Sequence, residues 1–257
     1  MRPVLFEIFG LPVYSYGFAL ALAFATGTVA VSLAVRRYNV DPIYIVDLAM
    51  ITCASAMIGA RAVFVLLNLS WYLREPSRMF SLSDGGLSFH GGLGAGIVSG
   101  ILYCRFRGID RWLMADLVAP YIALGYSIVR IGCFLRGCCY GVVTDVPWAL
   151  PSSALDDLPR HPIQLYSSAL SLLLFVYLYL RRNHSGFRGM LMFQYVGLYS
   201  LMRFAVEFVR EGERLAFGLT LAQVVSLAVA SVTFALMGFL SYRFNKAGGN
   251  VVGAKAS

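Results

Sequence analysis

Charge is what this sequence has least of. Only 13% of its 257 residues are Asp, Glu, Lys or Arg, roughly half the share found in ordinary soluble domains. That shortage excludes a disordered chain and argues against a soluble globular domain. The net charge of +8 comes without a basic run or a basic-aromatic module, so nucleic acid is not expected as a partner. No apolar stretch alternates with period two, which argues against strands. No basic segment precedes the first apolar stretch and no small-residue cleavage site follows it, so it reads as a permanent helix rather than a signal peptide. Long linkers, low-complexity blocks and internal repeats are also missing, and 1–257 reads as a single integral domain.

What is present is apolar. Hydrophobic residues make up 59% of the chain, and the mean hydropathy is +0.72. Apolar stretches lie near 16–35, 43–69, 91–104, 115–137, 163–180, 189–209 and 217–241. Spans of about 20 residues are what a bilayer requires. The expected fold is therefore all-α, a polytopic membrane protein with about seven transmembrane helices. Arg36, Arg37, Arg105, Arg107, Arg111, Arg181, Arg182, Arg188, Arg243, Lys246 and Lys255 follow the odd-numbered spans. The positive-inside rule then puts the N-terminus outside and the C-terminus in the cytoplasm.

A few charges stand where a membrane should hold none. Arg61, Arg130 and Arg203 lie in or at the edge of apolar spans, with Glu207 beside them. A mid-bilayer charge costs about 2.5–3.5 kcal/mol on insertion scales. Arg203, Glu207 and Arg210 follow one another at i, i+4 and i+7, on one helix face. Internal ion pairs that fix packing would account for some of them. The excess of guanidinium over carboxylate would also suit a phospholipid phosphate, whose oxygens match the planar guanidinium donors.

Three further segments carry polar chemistry. Asp84 to Gly92 is a glycine-rich loop ending in His90, which reads either as a structural hydrogen-bonding group or as a general base. Gly92, Gly96 and Gly100 continue it as a small-residue helix face. Residues 130–141 hold Arg130, Arg136 and three of the five cysteines, Cys133, Cys138 and Cys139. Their spacing is not C-x2-C and no second Cys/His pair is near, so they read as packing residues without a metal; a disulfide stays open on the oxidising side. Residues 159–166 set Arg160, His161, Gln164 and Tyr166 around a helix start, as interface groups or as an aromatic belt.

Together these segments resemble the prolipoprotein diacylglyceryl transferases. Tyr16-Gly17, Gly59-Ala60-Arg61, the Asp84–Gly92 loop, Arg130-Ile131-Gly132 through Tyr140-Gly141, Arg160 to Tyr166, and Arg203 to Arg210 match the family's motifs in order along nearly the whole chain. The resemblance implies transfer of the diacylglyceryl group from phosphatidylglycerol to the lipobox cysteine of a prolipoprotein, in a bacterial cytoplasmic (inner) membrane. It implies a thioether product, a site at the outer leaflet, and no metal or organic cofactor. By the resemblance His90, Arg203, Tyr16 and Glu207 serve catalysis. Arg130, Arg61, Arg136, Gln164, Tyr166 and Arg210 serve substrate binding. Partners would be phosphatidylglycerol or another anionic phospholipid, and the signal peptide that carries the lipobox. Against the family signature, Val129 stands for Gly, Cys133 and Arg136 for two Asn, and Cys138 for Glu. These departures leave room for a related transferase with another donor or acceptor. The arginines alone would also suit a non-catalytic anionic-lipid-binding or transport protein.

Overall fold

Helices form wherever the apolar runs are long, because a backbone in lipid must satisfy its own hydrogen bonds. The computed structural model describes residues 2–80, 85–151, 157–183, 186–215 and 218–247. Its helices are α1 (Ser15–Val35), α2 (Ile43–Leu67), a single turn α3 (Leu69–Tyr72), α4 (Phe89–Phe106), α5 (Arg111–Arg136), α6 (Ile163–Arg181), α7 (Met190–Val206) and α8 (Leu221–Lys246). Each of the seven apolar stretches falls on a helix. Five of these, at Ser15–Tyr38, Ile43–Leu67, Arg111–Arg136, Ile163–Arg181 and Leu221–Lys246, are long and apolar enough to cross a membrane. The chain is a mostly helical, multi-pass membrane protein.

The all-α expectation overlooks two short ribbons. Strands β1 (Val4–Ile8) and β2 (Leu11–Tyr14) pair antiparallel. Phe9 and Gly10 join them at φ 51° and 78°, the two positive angles of a tight hairpin turn. Strands β3 (Leu150–Pro151) and β4 (Pro159–Arg160) make the second ribbon. Strands this short show no periodicity to read.

The surface is inverted relative to a soluble protein. Large apolar side chains such as Val29, Ile58, Leu173 and Val232 are exposed, whereas Ser127, Gln164, Ser168, Ser171, Gln194 and Gln223 are buried. Helices in lipid gain little by hiding leucine and associate through small and polar residues instead. Helices α5 and α6 show this directly. Ser168 Oγ donates to Ser127 O at 2.9 Å and Ser171 Oγ to Ala123 O at 2.8 Å.

The chain divides into two compact units, Met1–Val31 with Ala115–Ser257, and Ser32–Met114. In the smaller unit α2 and α4 pack backbone to backbone. A Cβ on Gly59 would stand 2.3 Å from Ala95 Cβ, and one on Gly91 would stand 2.4 Å from Gly59 O. The expected glycine face does meet a helix here: Gly92 and Gly96 lie against Ala56, and Gly100 against Thr52.

In the larger unit the helix directions can be read from contacts. The Asp116 carboxylate near the start of α5 accepts from Gly189 N (2.6 Å) and Met192 N (3.0 Å) at the start of α7. Beyond the far ends of the same helices, Gly141 bridges Arg210. Helices α5 and α7 therefore run parallel. Helix α6 runs against α5, since Ser168 meets Ser127 while Ser171 meets Ala123. Helix α1 also runs against α5: Gly132 faces Ser15, Tyr16 and Ala19, and Gly125 faces Ala23. All these contacts bring the motif residues to one end of the unit.

Candidate functional site

Two arginines are carried to the same height by that parallel pair. Arg130 lies fourteen residues beyond Asp116, and Arg203 fourteen residues beyond Gly189. At 1.5 Å per residue both stand about 21 Å from the shared hydrogen bond. One turn below each is a tyrosine, Tyr126 and Tyr199, whose rings meet edge to face at 5.3 Å. The Tyr126 ring lies under the Arg130 guanidinium at 4.6 Å, and Arg130 Nη2 donates to the Tyr126 hydroxyl at 2.5 Å. Arg130 Nε is buried without a partner. Sequence reasoning missed this tyrosine pair, although Tyr at i−4 of both arginines was there to be noticed.

Arg203 is held from the other side. Its guanidinium pairs with the buried Glu207 carboxylate. Thr220 Oγ1 donates to Glu207 Oε1 at 3.3 Å. Thr220 also caps α8, accepting from Gln223 N at 3.2 Å while Gln223 Oε1 accepts from Thr220 N at 2.9 Å. This reciprocal capping box satisfies two amides that a helix start otherwise leaves open. One residue thus fixes both the entry to α8 and the carboxylate behind Arg203.

Three motif segments converge at Gly141. Its N–H donates to His161 O at 3.1 Å, His161 N donates to Val142 O at 3.1 Å, and Val142 N donates to Val209 O at 3.0 Å. Arg160 closes the junction. Its Nη1 donates to Gly141 O (3.3 Å) and pairs with Glu211 (3.0 Å), while the guanidinium covers the Tyr140 ring at 4.7 Å. Gln164 is fully buried and donates from Nε2 to Cys138 O at 2.7 Å, with its Oε1 left unpartnered. The Tyr166 hydroxyl accepts from Trp148 Nε1 at 2.6 Å and lies 3.2 Å from His161 Nδ1.

Arg136, exposed at the end of α5, stacks over the Tyr16 ring at 5.8 Å. The sulfurs of Cys133, Cys138 and Cys139 all lie within 4.8 Å of one another. A hydrogen bond with the Cys133 thiol, with smaller help from Cys138 and from the charges of Arg130 and Arg210, brings the Cys139 thiol down to about 5. Burial pushes the Cys138 thiol up. Among the described residues no carboxylate pairs with Arg130, Arg136 or Arg210, so this end carries surplus positive charge.

Arg61 and His90 belong to the smaller unit. Arg61 is buried, and its donors are taken up by carbonyls: Nε by Met79 (2.9 Å), Nη2 by Arg78 (2.7 Å), and Nη1 by Gly85 (2.6 Å) and Gly86 (3.0 Å). Its guanidinium also covers Tyr72 at 5.3 Å. The glycine loop thus closes over an arginine. Gly86 has φ 81° and lies against Phe64, where a Cβ would come within 2.4 Å of the ring. Ser88 caps α4, and His90 stands exposed in the first turn against Phe89. Asp84, which opens the motif, lies outside the described residues.

A family model for prolipoprotein diacylglyceryl transferase matches residues 3–239. The chain belongs to the prolipoprotein diacylglyceryl transferase family. Among its relatives, a protein of Clostridioides difficile named phosphatidylglycerol–prolipoprotein diacylglyceryl transferase is 32% identical over 227 residues, covering 88% of this chain and 90% of that one. A relative of the same name in Finegoldia magna is 32% identical, over 89% of this chain and 92% of its own. Another in Geobacter sulfurreducens is 33% identical, over 87% and 95%. The converging segments of the larger unit, the arginine-held loop of the smaller one and the hairpin at the start all fall inside the matched family region.

Proposed function

We propose that this chain is a phosphatidylglycerol–prolipoprotein diacylglyceryl transferase of the bacterial inner membrane. Its relatives' names point to this donor and acceptor, and the chemistry of the site agrees. Seven spans, with the N-terminus outside, place the motif-bearing end of α5 and α7 at the outer leaflet. A phospholipid and a signal helix both reach that end laterally through the bilayer.

The reaction is attack by the acceptor cysteine on the glyceryl carbon that bears the phosphate ester. A carbon–sulfur bond forms, the carbon–oxygen bond breaks, and glycerol phosphate departs with the electron pair. Two demands follow. The leaving phosphate must be stabilised as charge builds on its ester oxygen. The sulfur must react as thiolate. Arg130 meets the first demand: a partly buried guanidinium aimed by the Tyr126 ring, with one donor unpartnered. Arg203, at the same height, takes the departing oxygen, and Glu207 with Thr220 hold it in orientation. Arg136 and Arg210 add positive potential at the mouth. Gln164 and Tyr166 shape the floor, and Tyr16 lies beside the thiols. Arg61 contributes by holding the glycine loop in place, and His90 stands exposed at the end of that loop.

The observation that carries this reading is the level pairing of Arg130 and Arg203 on two parallel helices, beside thiols and under surplus positive charge. A merely structural set of ion pairs would balance its charges, and this one does not. The test is incubation of the purified protein with labelled phosphatidylglycerol and a lipobox peptide, followed by mass spectrometry. A diacylglyceryl thioether on the peptide cysteine is expected. An unmodified peptide with phosphatidylglycerol and with every other phospholipid supplied would contradict the proposal.

A further inference from the structure

Three thiols remain without a task in that mechanism, and they are held with care. Gly137, at φ 80°, ends α5, and the amides of Gly137 and Cys138 both donate to Cys133 O at 3.1 Å. Gln164 clamps the Cys138 carbonyl, and three residues later the chain enters the Gly141 junction. Cys139 itself has φ 62°, a left-handed conformation that non-glycine residues rarely adopt and that tends to mark functional positions. The backbone is bent so that a third sulfur joins the other two.

The geometry suits a metal. Four thiolates around Zn(II) at about 2.3 Å place their sulfurs roughly 3.8 Å apart. The three sulfurs here lie within 4.8 Å of one another, so about 1 Å of side-chain adjustment closes the set. Among the described residues no imidazole or carboxylate completes it. Three protein ligands and one open position is the pattern of a catalytic zinc site, in contrast to the closed four-ligand pattern of a structural one. The charges agree as well. Zn(II) with three thiolates carries −1, and with a fourth −2; the positive charges of Arg130 and Arg210 act on Cys139, and that of Arg136 on Cys138. Those cations would repel a bare metal ion but favour an anionic thiolate complex.

We infer that Cys133, Cys138 and Cys139 bind Zn(II), and that the open fourth position takes the thiol of the acceptor cysteine. This rests on the transfer reaction proposed above, and it departs from the sequence reading that no metal takes part. Coordination strips the acceptor thiol of its proton, which passes to water. The zinc-held thiolate then attacks the glyceryl carbon, the sulfur–carbon bond forms as the carbon–oxygen bond breaks, and the electron pair leaves on glycerol phosphate. No redox change occurs. The product thioether is neutral, a poor ligand for zinc, and is released. Cysteine at the two positions where the family signature has Asn and Glu is thereby explained as a different way of presenting the acceptor sulfur.

The test uses full-length protein purified without chelator. About one zinc per chain is expected, lost in Cys139→Ser. Protein reloaded with Co(II) should show sulfur-to-metal charge-transfer bands that strengthen when a lipobox peptide is added and stay unchanged with the peptide's Ser counterpart. Phenanthroline should abolish transfer, and Zn(II) should restore it. The cobalt and chelator arms use the unaltered protein, so misfolding of the serine variant would not decide the outcome. Metal-free protein with a disulfide among these cysteines, a cobalt spectrum blind to the peptide thiol, or transfer indifferent to chelation would overturn the zinc site. If transfer persists without metal, the transferase reading stands and the zinc inference falls. If zinc and peptide thiol bind but no thioether forms from any phospholipid, the zinc site stands and the transferase reading falls.

Discussion

Replacing Gly141 by Ala should disable the enzyme while leaving it in the membrane. A Cβ at this position would stand 2.6 Å from Val209 O and 2.8 Å from both the Cβ and the O of His161. Carbon–oxygen contacts normally settle near 3.3–3.6 Å, so the neighbours must yield by roughly 0.7 Å. Two of the three atoms are backbone, on segments joined to Gly141 and Val142 by hydrogen bonds of 3.0–3.1 Å, so no rotamer change relieves the crowding. Overpacking of this kind costs about 1–3 kcal/mol. Its larger effect is positional, because the segment bearing Cys138 and Cys139 is pushed away from the one bearing Arg210. A misplacement near 1 Å can lower a rate by about a hundredfold. The initial rate of thioether formation should therefore fall about 10- to 100-fold, with expression and membrane insertion retained. Gly27→Ala is the control, since nothing lies within 4 Å of its Cβ position and alanine favours helix. A Gly141→Ala enzyme at the full rate would refute the reasoning.

Other outcomes follow from the same contacts. Glu207→Gln removes the charge behind Arg203; it should cost about 2–3 kcal/mol in thermal or denaturant unfolding, below the ~3–5 kcal/mol of a fully buried pair because the Arg203 side chain is 23% exposed. Arg61→Lys cannot reach the carbonyls of Arg78, Met79, Gly85 and Gly86 together, so amide exchange at 78–80 and 85–90 should quicken while that of α6 stays unchanged. In chelator-stripped protein Cys139, with its thiol brought down to about 5, should react with iodoacetamide faster than Cys138. Because the thiolate is the nucleophile, that rate should hold from about pH 8 to about pH 6 and fall below about pH 5; a rate that falls already between pH 8 and 7 would contradict the assignment.

The helices were readable in the sequence because lipid imposes a single requirement, a long apolar run, and that requirement is written locally. The hairpin at Val4–Tyr14 was not, since four- and five-residue strands leave no period and Phe9 is an unusual residue for a positive φ. Among the site residues, the i, i+4 pairing of Arg203 with Glu207 was visible as a helix face. The Arg130–Tyr126 stack has the same spacing but went unread, because a tyrosine in an apolar span looks like packing. The alternation of the expected spans already ran α5 with α7 and against α6, but their relative height was hidden: it depends on Asp116 meeting Gly189, a contact seventy-three residues apart that no local pattern announces. Arg61 shows the opposite case: its isolation in an apolar span marked it as functional, and its carbonyl partners come from the 3-10 turn Pro76–Phe80 and from Gly85 and Gly86, an arrangement the sequence does not display.

The central claim is that Arg130 and Arg203 act on one phosphate. The direct measurement is a double-mutant cycle on labelled phosphatidylglycerol transfer, with Arg130→Ala, Arg203→Ala and the pair, each checked for membrane insertion. Groups that serve the same phosphate are coupled, so each single variant should lose transfer and the pair should be little worse than either one. Full activity in either single variant, or losses that simply multiply in the double, would contradict the account.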